Sequence, residues 1–260
     1  MGWSWAELRA ASVLAEDDAV LALHKPAGIA VTGERHDVDL VELAEAAGER
    51  LYPVHRIDKA TSGLVLFAKD LAAHGGLTRQ FAKREADKAY LAVTRSTGLP
   101  DEGVIELPLS AGRKGRVRIA APRERIRHDD GRWWVSEADL LDTKRYPSTT
   151  LIRSLWTDGE HTVLVAVPVT GRRHQIRVHL AWIGHPIAGD PLFGGAAEPR
   201  TYLHSWRLGL AAPWLDPPRL ELAAVPDDGF WAPLRDPRPD VAELLANAAR
   251  PRSTSPGRPG

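Results

Sequence analysis

The sequence predicts an α+β protein built on a large mixed, mainly antiparallel sheet flanked by helices and loops. Strand-like runs come in groups with a few helical segments between them, where a strict strand–helix alternation would indicate an all-parallel sheet. The middle of the chain, from "GVIELPL" to "HTVLVAVPV", offers one strand-like run after another, separated by turn residues. At 260 residues and 43% hydrophobic composition, the chain carries enough apolar material for a substantial core.

The elements follow in order. "AVLALHKPAGIAV" starts as a strand over 19–23, turns at Pro26 and Gly28, and resumes as a second short apolar run. "DVDLVELAEAAGERL" sets Val38, Leu40, Val41, Leu43 and Ala44 at mostly helical spacing, closed by Gly48. "GLVLFAK" is a nearly continuous apolar strand, residues 71–84 read as a helix despite Gly75 and Gly76, and "KAYLAVT" is the next strand. "GRVRIA" alternates, with Arg116 and Arg118 on one face and Val117 and Ile119 on the other. After "TTLIRSLW" and "HTVLVAVPV" the period changes. In "RRHQIRVHLAWIGHP", Ile176, Leu180 and Ile183 stand at i, i+4 and i+7, predicting a short amphipathic helix of basic character stopped by Gly184 and Pro186. "RTYLHSWRLGL" and "RLELAAVP" read as strands and "VAELLANAA" as a helix, while "RPRSTSPGRPG" has the composition of a disordered tail. The expected organisation is an N-terminal extension over 1–15, one catalytic unit over 16–235, and a short helix with its tail over 236–260.

Several chemistries are excluded. With no cysteine, the chain has no disulfide, thiolate metal site or cysteine nucleophile. It carries no Gly-rich phosphate loop and no G-x-S-x-G elbow, and its histidines lack metal-ligand spacing, so neither cofactor nor metal is expected. Without a signal-like N-terminus or an apolar run of about 18 residues, the expectation is a cytoplasmic protein with no membrane contact and no obligate protein partner. Net charge is zero, but its distribution is uneven: residues 110–127, "SAGRKGRVRIAAPRERIR", carry seven Lys or Arg against one Glu.

The segment "HRIDKATSGLVLFAKD" places Asp58 between two cations, Arg56 and Lys59, ahead of a Thr-Ser-Gly turn. Burial raises a carboxyl pKa and a neighbouring guanidinium lowers it, so an aspartate beside an arginine stays ionised inside a pocket. A carboxylate nucleophile needs that state, and a structural ion pair uses the same residues. The segment closely resembles the signature of RluA-type pseudouridine synthases, His-Arg-Leu-Asp followed by two residues and Thr-Ser-Gly-Leu. "LHKPAGIAV", "KAYLAV", "GRRHQIRVHLAWIGHPIAGDPLFG" and "LHSWRLGL" resemble further blocks of that family, in its order, across about Glu16 to Leu210. Ile57 replaces the commoner leucine, a mild departure.

The resemblance implies a pseudouridine-synthase fold and an isomerase that converts uridine to pseudouridine in rRNA or tRNA. Asp58 matches the catalytic aspartate that attacks C1′ or assists glycosidic cleavage. Tyr90 matches the active-site tyrosine, which packs against the base and is implicated in removing the C5 proton. Arg177 matches the residue that pairs with the carboxylate, and Arg56 the arginine that holds the flipped nucleotide or fills its gap. Gln175, His174 and Asp190 fall in matching blocks as scaffolding or substrate support. Many relatives carry an N-terminal S4-like domain; with about 15 residues before the first matching strand, RNA recognition is expected to fall to the catalytic unit. Its candidate residues are Arg113, Lys114, Arg116, Arg118, Arg172 and His174. The alternatives are a non-catalytic RNA-binding protein on the same scaffold and a hydrolytic nucleosidase using the same carboxylate.

Overall fold

The computed structural model describes residues 4–33, 37–112, 116–194 and 198–249. Its first part contains α1 (Trp5–Ser12), β1 (Val13–Glu16), β2 (Val20–Lys25), α2 (Leu40–Ala46), β3 (Tyr52–Pro53), β4 (Ser62–Ala68) and α3 (Leu71–Lys83). The middle is made of β5 (Asp87–Thr94), β6 (Glu102–Glu106), β7 (Leu109–Ala111), β8 (Val117–Ile119), β9 (Arg127–Asp129), β10 (Arg132–Trp134), β11 (Arg145–Tyr146), β12 (Thr149–Thr157) and β13 (Thr162–Pro168). Helix α4 (Gln175–Trp182), β14 (Leu203–Ala211), β15 (Arg219–Ala223) and α5 (Val241–Ala249) complete it.

The main sheet runs β1-β2-β4-β14-β5-β13-β12-β6-β10-β9, with β3 added to β4 and β15 to β14. It is mixed and mainly antiparallel, as expected; the parallel pairs in it are β4 with β14 and β6 with β10. A small second sheet, β11-β7-β8, stands apart because "GVIELPL" does not continue as one strand. Pro108 has no N–H for a ladder, and the chain leaves the main sheet between β6 and β7 at that point.

Every residue of β4 is buried, which accounts for its unbroken apolar run. Leu64, Leu66 and Ala68 pack with Leu77 of α3 on one face, while Val65 and Phe67 pack with Leu21, Leu23 and Leu40 on the other. The second cluster also takes in Trp5 and Leu8, so α1 is part of the core. Helix α2 starts on a capping box, with the Asp39 side chain accepting from the Glu42 N–H and Glu42 answering at the Asp39 N–H. Helix α3 starts on Asp70, whose carboxylate accepts from the Ala73 N–H at 2.7 Å. Gly75 and Gly76 lie on its exposed side, where lost packing costs little, and Leu77 anchors the opposite side.

Helix α4 departs from the amphipathic, basic helix that the sequence predicts: residues 175–181 are all buried. It packs against β8, β12 and β13, so it has no solvent face, and its one arginine, Arg177, turns inward. The exposed basic character belongs to Arg172 and Arg173 in the turn before it. Among the described residues, no helix is long and apolar enough to cross a membrane.

Two histidines are walled into this core. His179 meets the Thr150 hydroxyl at 2.8 Å and the Leu107 carbonyl at 2.9 Å; His204 meets the Ser62 hydroxyl and the Ala224 carbonyl, both at 2.9 Å. Burial lowers their pKa values to about 4 and about 3, against a backbone hydrogen bond that raises each. Below pH 6.5 the unfolded chain therefore binds protons that the folded chain refuses, and stability falls as pH drops toward 4. From these two groups, a urea-unfolding series should show a loss approaching about 2–3 kcal/mol per pH unit near pH 5. Replacing His179 by asparagine should remove one proton's share of the measured slope, about 1.4 kcal/mol per pH unit.

Candidate active site

Asp58 sits in the loop between β3 and β4, on a backbone with alternating inward and outward residues. His55 is held inside, its Nε2 accepting from the Leu66 N–H at 3.1 Å while its ring stacks on Phe81 at 4.8 Å. Arg56 is exposed, and Ile57 is buried in the cluster around Leu21 and Phe67. The Asp58 carbonyl accepts from the Thr61 N–H at 3.0 Å, closing a turn. The turn returns the chain to β4 through Gly63, whose φ is +102°. A Cβ on Gly63 would stand 2.2 Å from the Ser205 carbonyl oxygen of β14, so the parallel β4–β14 contact beside the site admits only glycine there.

The Asp58 carboxylate is about one-quarter exposed and accepts from Nη1 of Arg177 at 2.9 Å. Arg177 is 3% exposed, and its Nε and Nη2 each donate to Asp190 at 2.7 Å. Asp190 has no exposed surface and also accepts from the N–H groups of Leu192 and Phe193. One guanidinium thus spans two carboxylates, fixed by its bidentate pair on the buried side and presenting the third N–H group to Asp58. Burial alone would lower the Arg177 pKa, but the Asp190 hydrogen bonds and the charges of both carboxylates raise it. The loop that carries Asp190 is shaped by Gly189, at φ +66°, where a Cβ would meet the Arg200 carbonyl oxygen at 1.9 Å.

Around this axis the candidates divide. Tyr90 on β5 packs against two of the three core clusters, the one around Leu21 and Phe67 and the one that holds Leu91, Leu164 and Leu203, pairing with Ser205 of β14 on one side and Ala166 of β13 on the other. Burial raises its pKa to about 12; a hydrogen bond with Ser205 opposes that rise and the Asp58 charge adds to it. The phenol is therefore protonated at neutral pH, and any proton it accepts requires it to pass its own on. His174 caps α4 in a left-handed conformation, φ +55°, with Nε2 3.7 Å from the Asp58 carboxylate and its ring edge toward Phe193. Gln175 is scaffolding: it binds Thr170, Arg172, Thr149 and Thr150. Arg172 is exposed, its guanidinium over the Tyr146 ring at 5.7 Å. Arg118 lies within β8 and Arg116 just before it, and Arg113 and Lys114 lie outside the described residues.

Sequence reasoning read "LHKPAG" as a strand and turn and gave Lys25 no role. Lys25 has no exposed surface and donates to the carbonyls of Pro26 and Ile29 at 2.8 Å and of Lys59 at 3.4 Å. It thereby ties the 26–29 turn to the loop that carries Asp58, an attachment repeated by the Gly28 N–H on the same Lys59 carbonyl at 2.8 Å. The signal was present in the period of β2: Leu21, Leu23 and Lys25 share one face, so a lysine stands where an apolar residue is due. Ser62, Arg200 and His204 form a second tie, with the Ser62 hydroxyl between the His204 ring and the Arg200 guanidinium. Among the described residues, no three His, Asp or Glu side chains converge as a metal-ligand set.

Comparison with known proteins decides the family. Residues 19–182 match the model of the RNA pseudouridylate synthase family. The chain belongs to this family. Among its relatives, the dual-specificity RNA pseudouridine synthase RluA of Escherichia coli O6:H1 is 32% identical over 208 residues, 77% of this chain and 87% of the relative. The tRNA pseudouridine synthase C of Pasteurella multocida is 31% identical over 203 residues, 73% of this chain and 76% of the relative. The solved structure of human RNA pseudouridylate synthase domain containing 4 shares the fold, with a TM-score of 0.69 and 23% identity over 94% of this chain and 95% of that one. The expected pseudouridine-synthase fold and the RluA-type resemblance both hold for this family member.

Two stability tests follow from the geometry. Asp190→Ala leaves a buried guanidinium with half its partners and should cost about 3–5 kcal/mol in urea unfolding, whereas Asp58→Asn, at the partly exposed end, should cost about 1 kcal/mol or less. The Lys25 pKa is lowered from 10.5 to about 7 by burial, against the Asp58 charge that raises it. Between pH 7 and 10.5 the unfolded chain keeps a proton that the folded chain has released, so this group makes stability rise with pH across that window. Lys25→Met should abolish that rise, as unfolding at pH 7 and pH 10 would reveal.

Proposed function

We propose that the protein isomerises uridine to pseudouridine in structured RNA, rRNA or tRNA, with Asp58 as the essential carboxylate. The observation that carries this reading is the Asp58–Arg177–Asp190 arrangement: a partly exposed carboxylate held on a buried arginine that is itself locked from behind. In the proposed reaction, Asp58 attacks C1′ of an extruded uridine and the C1′–N1 bond breaks. The detached uracil turns, C5 replaces the carboxylate at C1′, the C5 proton is lost and N1 gains one. Substrate and product are isomers, so the electron count balances with no redox partner.

Tyr90 serves as the aromatic wall of the base pocket. As a neutral phenol in contact with Ser205, it takes the C5 proton only through a relay that passes its own proton on. Arg56, exposed beside the carboxylate, is placed to fill the gap left by the extruded nucleotide. His174, 3.7 Å from the Asp58 carboxylate, and the exposed Arg172 two residues before it contact the substrate backbone. An enzyme of this kind works on cytoplasmic RNA.

Asp58→Asn should abolish pseudouridine formation on transcribed rRNA and tRNA, with RNA affinity within about twofold of wild type; undiminished product would overturn the assignment. Tyr90→Phe should lower the rate by about 10²-fold or more. Release of free uracil by the wild type, with no C-glycoside of unchanged mass, would identify a nucleosidase instead.

A further inference from the structure

A cavity of about 360 Å³ opens beside the Asp58 site, lined by Arg116, Arg118, Arg123, Trp182, Leu192 and Phe193. Phe193 is the wall the two spaces share. Its ring centroid lies 5.5 Å from the Arg177 guanidinium and 5.9 Å from the His174 ring on the catalytic side, and 6.5 Å from the Trp182 ring on the cavity side. The volume falls in the range of small-ligand sites and the lining is two aromatic rings among three arginines.

The charge state of these arginines separates them from their neighbours. Arg125 and Arg127, from the same basic segment, reach Asp139 at 3.7 and 3.6 Å; Arg132 pairs with Glu106 at 2.6 Å and Arg145 with Glu137 at 2.9 Å. Among the described residues, no carboxylate lies within 4.0 Å of Arg116, Arg118 or Arg123. Arg118 donates only Nε, to the Ile119 carbonyl at 3.1 Å, and Arg123 donates Nη2 to the Ala181 carbonyl at 2.6 Å, which sets its guanidinium over Trp182 at 5.5 Å. The remaining N–H groups of three guanidiniums meet around one aromatic-lined space, in a chain whose net charge is zero. Aromatic and guanidinium planes stack on unpaired bases, and guanidiniums pair with phosphate.

We propose that this cavity is the subsite for a nucleotide flanking the target uridine, its base against Trp182 and Phe193 and its phosphate on Arg116, Arg118 and Arg123. The proposal rests on the RNA-modifying reading of the Asp58 site and identifies where the enzyme grips the strand next to the reacting residue. It also sorts the basic 110–127 segment: Arg125 and Arg127 brace Asp139, and the cavity arginines carry the RNA contact.

The probe is a fluorescein-labelled heptauridylate, with uridine monophosphate as the single-nucleotide reference. Wild type should bind the heptamer more tightly than the monophosphate. Arg116→Glu and Arg118→Glu should each weaken heptamer binding at least about fivefold at 0.1 M salt, lower the slope of log affinity against log salt by about 0.7, and leave monophosphate affinity unchanged. Arg79→Glu, on the exposed side of α3, should change neither and controls for total charge. Photocrosslinking of a heptamer carrying 5-iodouridine should mark Trp182 or Phe193 in peptide mass spectra. Equal affinity of wild type for heptamer and monophosphate, an Arg79→Glu effect matching that of Arg118→Glu, or crosslinks confined to other regions would each overturn the subsite. None of these readouts requires turnover, so a subsite that fails while Asp58-dependent pseudouridine forms leaves the catalytic reading intact, and the reverse outcome is equally distinguishable.

Discussion

The bidentate grip of Asp190 on Arg177 is the interaction on which the rest of the site depends. Taking a guanidinium out of water is costly unless its donors are met, and here two of its nitrogens are met by one fully buried carboxylate at 2.7 Å. The third can then be offered to a different carboxylate without leaving the arginine free to move. Asp58 receives a fixed positive partner and keeps a quarter of its surface open. A carboxylate held in this way keeps its direction, which the proposed attack on a sugar carbon needs.

Holding that axis in place requires three segments distant in sequence to meet, and close backbone approaches bring them together. Gly63 lets β4 run against β14, and Gly189 lets the Asp190 loop pass under the Arg200 carbonyl. Lys25 and the Gly28 N–H converge on the Lys59 carbonyl, so the residue after Asp58 is tethered by its backbone. The Lys59 side chain plays the lesser part, pairing with Asp37 at 2.5 Å on the surface. Tyr90 packs against two of the core clusters at once, which holds its ring as firmly as the sheet that bears it.

The elements were legible wherever period and punctuation agreed. The unbroken apolar run of β4, the Gly-and-Pro stop after α4 and the alternation around β8 each match an element in the structure. Pairing was not legible: nothing in "GVIELPL" alone tells which side of Pro108 belongs to which sheet. Helix α4 shows the same limit. Three apolar positions at helical spacing describe one face, and the chain supplies no sign that the other face is covered by β8 and β12. Arg177 therefore reads as a basic helix residue in isolation and becomes an internal ion pair only once Asp190, thirteen residues on, folds back over it.

The sequence by itself determined the family and the order of the blocks, because those are properties of residue type and spacing along one chain. The family resemblance already assigned Arg177 to the Asp58 carboxylate, and the two do pair in the structure; only the tertiary structure shows why neither flanking cation takes its place. Of the two that flank Asp58 in "HRIDK", Arg56 points to solvent and Lys59 pairs with Asp37, while the partner that holds it comes from 119 residues away. The physical reason is that a charge is satisfied by distance in space and solvent exclusion, and neighbours along an extended loop point in alternate directions. The same reason divides the described arginines of residues 116–127 into those paired with Asp139 and those left to face the cavity.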